Sequence, residues 1–379
     1  MKIPSKIYLN KRNMPVYLSI FGMVFVLVGL PLRYYSLVSI GTMSIVISAG
    51  WCFFNLCTKN YGRGIIFPVV ILLVITFMSF FSSFPIKLRS IVHLISFLEL
   101  PILTAYCGKQ QTKSVRKTVY CIFWMLSLFW IILSFTNKAY VFRTEYGDGT
   151  ISELTLSYQN PNQISMYLMA TLFILTSGVY FFKSTIVRNV FRLPALVVFT
   201  LIIKTGSRTC IILAIIFLLY DILCNRIKNN LNVIPILLFP AIFAIFILFF
   251  GKIYENIKIM GDAFDTGRIY IYQSVFRDYS LSKFLFGDFS KYQFSNLHNG
   301  YVSILASTGI LVLGYFIWFI YTLLREIQKI NVYKYQKLAF AGLLLIIVHS
   351  STESAMLVTG SAYAVIFMAL SIVSTQIKE

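Results

Sequence analysis

Residues 34–58 read YYSLVSIGTMSIVISAGWCFFNLCT, a run without one charged side chain. About 20 apolar residues wound as a helix cross the roughly 30 Å of a bilayer's hydrocarbon core. This single stretch is therefore long enough to span a membrane. Uncharged runs of similar length recur at Asn13–Leu32, Gly64–Ile86, Thr118–Asn137, Leu154–Phe182, Asn229–Gly251 and Ser354–Ile377. Of 379 residues, 58% are hydrophobic and only 12% charged, against about 25% charged in soluble domains. The ten-residue alternation of an outer-membrane barrel is absent.

The spacing predicts an all-α, polytopic integral membrane protein, one membrane domain over 1–379 with about twelve spans. They fall at 14–31, 36–57, 64–84, 88–106, 118–136, 162–182, 187–204, 208–224, 232–250, 300–324, 337–350 and 356–374. Val16–Leu30, behind Lys2, Lys6, Lys11 and Arg12, reads as an uncleaved signal anchor. With both termini inside, inner segments carry 20 Lys/Arg and outer ones 13, six of them in one long loop. That bias sets the orientation. It also accounts for the net charge of +20 without a nucleic-acid partner. The six cysteines lie in or at the ends of spans with no CxxC pair, so neither a disulfide framework nor a zinc site is indicated.

Two outer loops exceed ordinary connector length, about 137–161 and 251–299. In the second, Asp265 or Thr266 is placed to cap an amphipathic helix over Ile269–Tyr279. The seventh and eighth spans are short, joined by Lys204-Thr205-Gly206-Ser207-Arg208, and a recess is expected there.

Charge near membrane depth demands an explanation. Arg208 follows Gly206-Ser207 at a helix N-terminus, where free N–H groups and the helix dipole favour an anion. A guanidinium adds a bidentate fork for phosphate; the alternative is an arginine snorkelling to the interface. Arg268 is a second basic candidate, or a solvated loop charge. His298, before Asn299-Gly300, suits proton transfer near neutrality, or is an interfacial histidine without a role. His349 and Glu353, four apart, read as a hydrogen-bonded pair; metal ligation lacks a third ligand. Glu99 either binds Arg89 or backbone groups freed at Pro101, or relays protons. No Walker A loop, Rossmann fingerprint or HExxH occurs, so no cofactor is implied.

Four short matches run in order along residues 155–325. Asn160-Pro161-Asn162-Gln163 opens the sixth span and Gly206-Ser207-Arg208-Thr209 the eighth. Gly267-Arg268 begins the loop helix, and His298-Asn299-Gly300-Tyr301, followed by Gly309, opens the tenth. The set resembles the O-antigen polymerase and ligase superfamily, which includes bacterial capsular polysaccharide polymerases. Phe286-Gly287-Asp288-Phe289 departs from the Gly-x-Gly that these loops often show. The resemblance implies a glycosyltransferase at the outer face of the cytoplasmic membrane. It would join undecaprenyl-diphosphate-linked oligosaccharide repeat units, with other polysaccharide-assembly membrane proteins as partners. Displacement of a diphosphate needs charge stabilisation and one base, without a metal. Arg208 and His298 are assigned catalysis, and Arg268, Asn162, Asn299 and Glu353 substrate binding. A ligase of the same superfamily is the nearest rival. A lipid-oligosaccharide flippase, from another class, predicts short loops on both sides, and a non-catalytic scaffold is the third reading.

Overall fold

The computed structural model describes residues 13–58, 88–109, 113–136, 140–144, 150–156, 161–182, 184–226, 268–277, 280–293 and 297–353, with isolated positions in 69–73 and 365–372. Among the described residues the helices are α1 (Met14–Leu32), α2 (Tyr35–Thr58), α3 (Leu88–Lys109), α4 (Lys113–Ser134), α5 (Pro161–Phe181), α6 (Thr185–Lys204) and α7 (Arg208–Arg226). Three short helices follow, α8 (Arg268–Phe276), α9 (Leu281–Phe286) and α10 (Phe289–Tyr292), then α11 (Gly300–Gln328) and α12 (Tyr333–Thr352). Nine of these fall on expected spans. The expected spans 64–84, 232–250 and 356–374 lie wholly or largely outside the described residues.

Among the described residues five helices, α1, α2, α4, α6 and α11, are long and apolar enough to cross a membrane. They leave large apolar side chains uncovered, among them Met43 and Phe54 on α2, Leu193 and Leu196 on α6, and Ile317 on α11. Lipid tolerates such a surface where water does not. The chain is an α-helical membrane protein. At 20 residues, α6 is of full spanning length, which corrects the expectation that the seventh span is short.

The chain divides into two compact units, 1–211 with 280–379, and 212–279. The first opens with a helical hairpin. A Cβ on Gly22 would stand 2.5 Å from Gly41 O, and one on Gly41 equally close to Gly22 O. Only glycine lets the α1 and α2 backbones meet there, as small residues do between membrane helices. Ser19 Oγ and Ser48 Oγ bond across the same seam at 2.7 Å.

Helix α5 is the core of this unit. From Ile164 to Leu175 every residue is buried, and α4, α6 and α12 pack on it. A helix apolar all round belongs inside. Near the C-terminus of α5, the buried Arg116 of α4 lies 4.2 Å over the Phe181 ring, a cation–π contact.

The loop expected at 137–161 holds β-structure that the all-α expectation lacked. Tyr140–Thr144 (β1) and Thr150–Leu154 (β2) pair antiparallel, with Val141 opposite Glu153. Among its described residues, the loop expected at 251–299 carries the short helices α8, α9 and α10, where one was expected. The expected helix is present as α8, in the second unit; its candidate caps Asp265 and Thr266 lie outside the described residues.

Candidate functional site

Four helix ends meet near the β1–β2 pair, and each contributes a polar group. Helix α11 begins at Gly300 because Asn299 caps it. The Asn299 side-chain oxygen accepts from Tyr301 N at 3.0 Å and Val302 N at 3.1 Å, satisfying two of the donors a helix N-terminus exposes. Its Nδ2 donates to Ser351 O at 2.9 Å, and Tyr301 Oη donates to Ile347 O at 2.9 Å. Both bonds tie the start of α11 to the last turns of α12.

Glu353 stands immediately after α12. Its backbone N–H donates to His349 O at 2.9 Å and its backbone is extended, φ −144°, so the helix stops there. The carboxylate is turned into the protein. Oε1 accepts from Asn162 Nδ2 at 2.7 Å, and Oε2 lies 3.5 Å from His298 Nδ1. A carboxylate gains nothing from the C-terminal dipole of its own helix. Here Asn162, in the first turn of α5, holds it instead. His349 and Glu353 remain within electrostatic range, and the carboxylate also joins Asn162 and His298, linking α5, α12 and α11.

His298 is a non-glycine residue with φ 54°, in the left-handed region that costs an L-residue roughly 1–2 kcal/mol. Such strain persists where surroundings over-determine it, often at functional positions. The His298 side chain is 33% exposed and that of Glu353 6%. The imidazole is thus partly exposed while the carboxylate beside it is shielded. The 3.5 Å separation exceeds a made hydrogen bond, and catalytic contacts in unliganded sites are often this long.

The turn into α7 is the fourth end. Gly206 has φ 67°, and Thr205 Oγ1 accepts from Ser207 N at 3.2 Å. The buried Cys210, one turn into α7, is hydrogen-bonded to Ser165 of α5 and to Ser207, and lies within electrostatic range of Glu353. Through it, the N-terminus of α7 is drawn to the Asn162–Glu353 pair. Arg208 is the first residue of α7, so its backbone is at the site; its side chain lies outside the described residues. From β2, Glu153 Oε1 comes within 3.4 Å of where a Gly206 Cβ would stand. No motif or local spacing in the sequence marks Glu153.

The structure thus brings His298, Asn299, Glu353 and Asn162 together, with the α7 terminus beside them. Arg268 opens α8 in the other unit, and its side chain too lies outside the described residues. Asn299, expected to bind substrate, has architectural work as cap and tie. Among the described residues no three His, Cys, Asp or Glu side chains cluster to hold a metal. No protein-family model matches the chain, and no curated protein matches it.

Proposed function

We propose that the protein is a glycosyltransferase of the cytoplasmic membrane that polymerises undecaprenyl-diphosphate-linked oligosaccharide repeat units at the outer face. One observation carries this reading. Glu353, shielded and held by Asn162, lies 3.5 Å from the partly exposed His298, beside the N-termini of α5, α7 and α11. That is the layout of a base with an orienting carboxylate next to a region of positive dipole.

The acceptor is a sugar hydroxyl of one lipid-linked unit and the donor a second such unit. The hydroxyl oxygen bonds to the donor's anomeric carbon as the bond from that carbon to the diphosphate oxygen breaks. Undecaprenyl diphosphate leaves with the electron pair. His298 takes the hydroxyl proton through Nε2, with Nδ1–H directed to Glu353, and the carboxylate offsets the positive charge gained by the ring. The α7 N-terminus with Arg208 holds the diphosphate, whose growing charge preorganised donors stabilise. In this reading Glu353 acts through His298, as a positioning residue rather than a substrate-binding one.

The test is incubation of purified protein with a lipid-diphosphate oligosaccharide. A ladder of products is expected, absent with His298→Ala. Transfer confined to an unrelated acceptor would instead make the protein a ligase. An unchanged substrate pool from well-folded protein would sink the enzymatic reading.

A further inference from the structure

The polar groups behind Glu353 form one continuous chain. Asn162 Nδ2 donates to Glu353 Oε1 at 2.7 Å, and Ser165 Oγ donates to Asn162 O at 2.9 Å. The second bond uses the single proton of the Ser165 hydroxyl. In its hydrogen bond with Cys210, Ser165 is therefore the acceptor and the thiol the donor. Cys210 is also bonded to Ser207, whose hydroxyl then donates to Sγ. Ser207 N in turn donates to Thr205 Oγ1 at 3.2 Å. The chain runs from the carboxylate beside His298, through the start of α5, to the turn that opens α7.

Ser165, Thr205, Ser207 and Cys210 are all buried, so water does not stand in for a missing partner. A buried polar group left unbonded costs roughly 1–3 kcal/mol, a liability that alanine or valine would not carry. Thr171, equally buried on α5, turns back to Tyr167 O of its own helix. Ser165 does the same towards Asn162 O and also reaches a second helix. A polar contact between helices in an apolar interior fixes register, because a slip strands both partners. The start of α7 is where such a contact matters. Residues up to Ile211 belong to the same compact unit as α5 and α12, and the rest of α7 to the other unit. Cys210 lies in the stretch that shares a unit with the site.

We propose that Ser165 and Cys210 are positioning residues: their bond fastens the first turn of α7 to α5, and so sets where the α7 N-terminus, which begins at Arg208, stands relative to the His298–Glu353 pair. Neither residue touches substrate. Their effect on the reaction rests on the glycosyl-transfer reading given above, in which the α7 end holds the diphosphate and His298 takes the proton. The two tasks fall on separate helices, and the Asn162–Ser165–Cys210–Ser207 chain is what keeps them at one spacing.

The experiment uses the full purified chain with a lipid-diphosphate oligosaccharide. Cys210→Val keeps an apolar side chain of similar size but cannot make the bonds, and kcat/KM should fall about 10-fold or more, as misplaced reacting groups do. Cys210→Ser keeps a donor and an acceptor and should stay close to wild type. Ser165→Ala should lose activity as Cys210→Val does. The double variant should lose no more than Cys210→Val alone, because both changes break one bond. A second measurement does not depend on activity. In a chain whose other five cysteines are replaced by serine, N-ethylmaleimide should alkylate Cys210 several-fold faster once Ser165→Ala frees the α7 turn. Wild-type activity in Cys210→Val, equal losses in Cys210→Val and Cys210→Ser, or losses that multiply in the double variant would overturn the proposal. Wild-type protein that yields no product would defeat the glycosyl-transfer reading instead. The alkylation rates then decide the fastening by themselves, and an unchanged rate in Ser165→Ala would end it.

Discussion

The carboxylate of Glu353 lies 3.5 Å from Nδ1 of His298, across the junction of the C-terminus of α12 and the N-terminus of α11. The two belong to different helices, and the Asn299–Ser351 and Tyr301–Ile347 bonds hold those helices in register. If Glu353 positions the imidazole and offsets its charge, the pair acts as a unit.

Glu353→Gln keeps the shape and can accept from Asn162, but it loses the charge. We expect kcat of polymer formation to fall about 10-fold or more, within the roughly 10²–10⁴ that the base itself contributes, with KM little changed. A change in transition-state stabilisation alone has that signature. A raised KM at unchanged kcat would show Glu353 to be a binding residue instead.

His298 is strained, so its backbone and side chain are separable. His298→Ala and His298→Gly both remove the imidazole and should lose activity alike. At φ 54° glycine sits without penalty, so the Gly variant should be more stable than the Ala variant by about 1 kcal/mol. Unfolding in detergent micelles measures this. Equal stabilities would mean that the left-handed conformation is relaxed in solution.

Arg208→Lys retains a charge at the α7 terminus but loses the planar, two-pronged donor. Activity is expected to fall about 10²-fold, as when one preorganised donor is removed from a site of developing negative charge. Protein amount in the membrane should be unchanged. Near-native polymer from the Lys variant would reduce Arg208 to a point charge at the interface.

Two glycines of α11 make a matched pair for stability. Gly309→Ala forces a Cβ to within 2.2 Å of Leu285 O at φ 79°. Backbone strain and overpacking each cost about 1–3 kcal/mol, so folded protein should drop sharply. Gly314 has nothing within 4 Å of its would-be Cβ. Gly314→Ala should be neutral, or stabilising by up to about 1 kcal/mol. Similar yields of the two variants would contradict the close backbone approach of Gly309 to Leu285.

Hydropathy by itself determined where most of the described spans lie, because crossing hydrocarbon demands length and apolarity that no other constraint imitates. α1, α2, α4, α6 and α11 each begin and end within a few residues of the expected limits. Asn299 was expected to bind substrate, and only the structure shows it capping α11 and bonding to Ser351. The β1–β2 hairpin was not legible either: its strands are five residues each, stabilised by pairing that no local pattern announces. Glu353 was paired with His349 on the sequence because residues four apart share a helix face. Only the tertiary structure decided that the helix ends at Thr352 and that the Glu353 carboxylate also reaches Asn162 and His298. What a side chain four residues on can reach depends on where the helix stops, and packing of α11 and α5 against that end settles it.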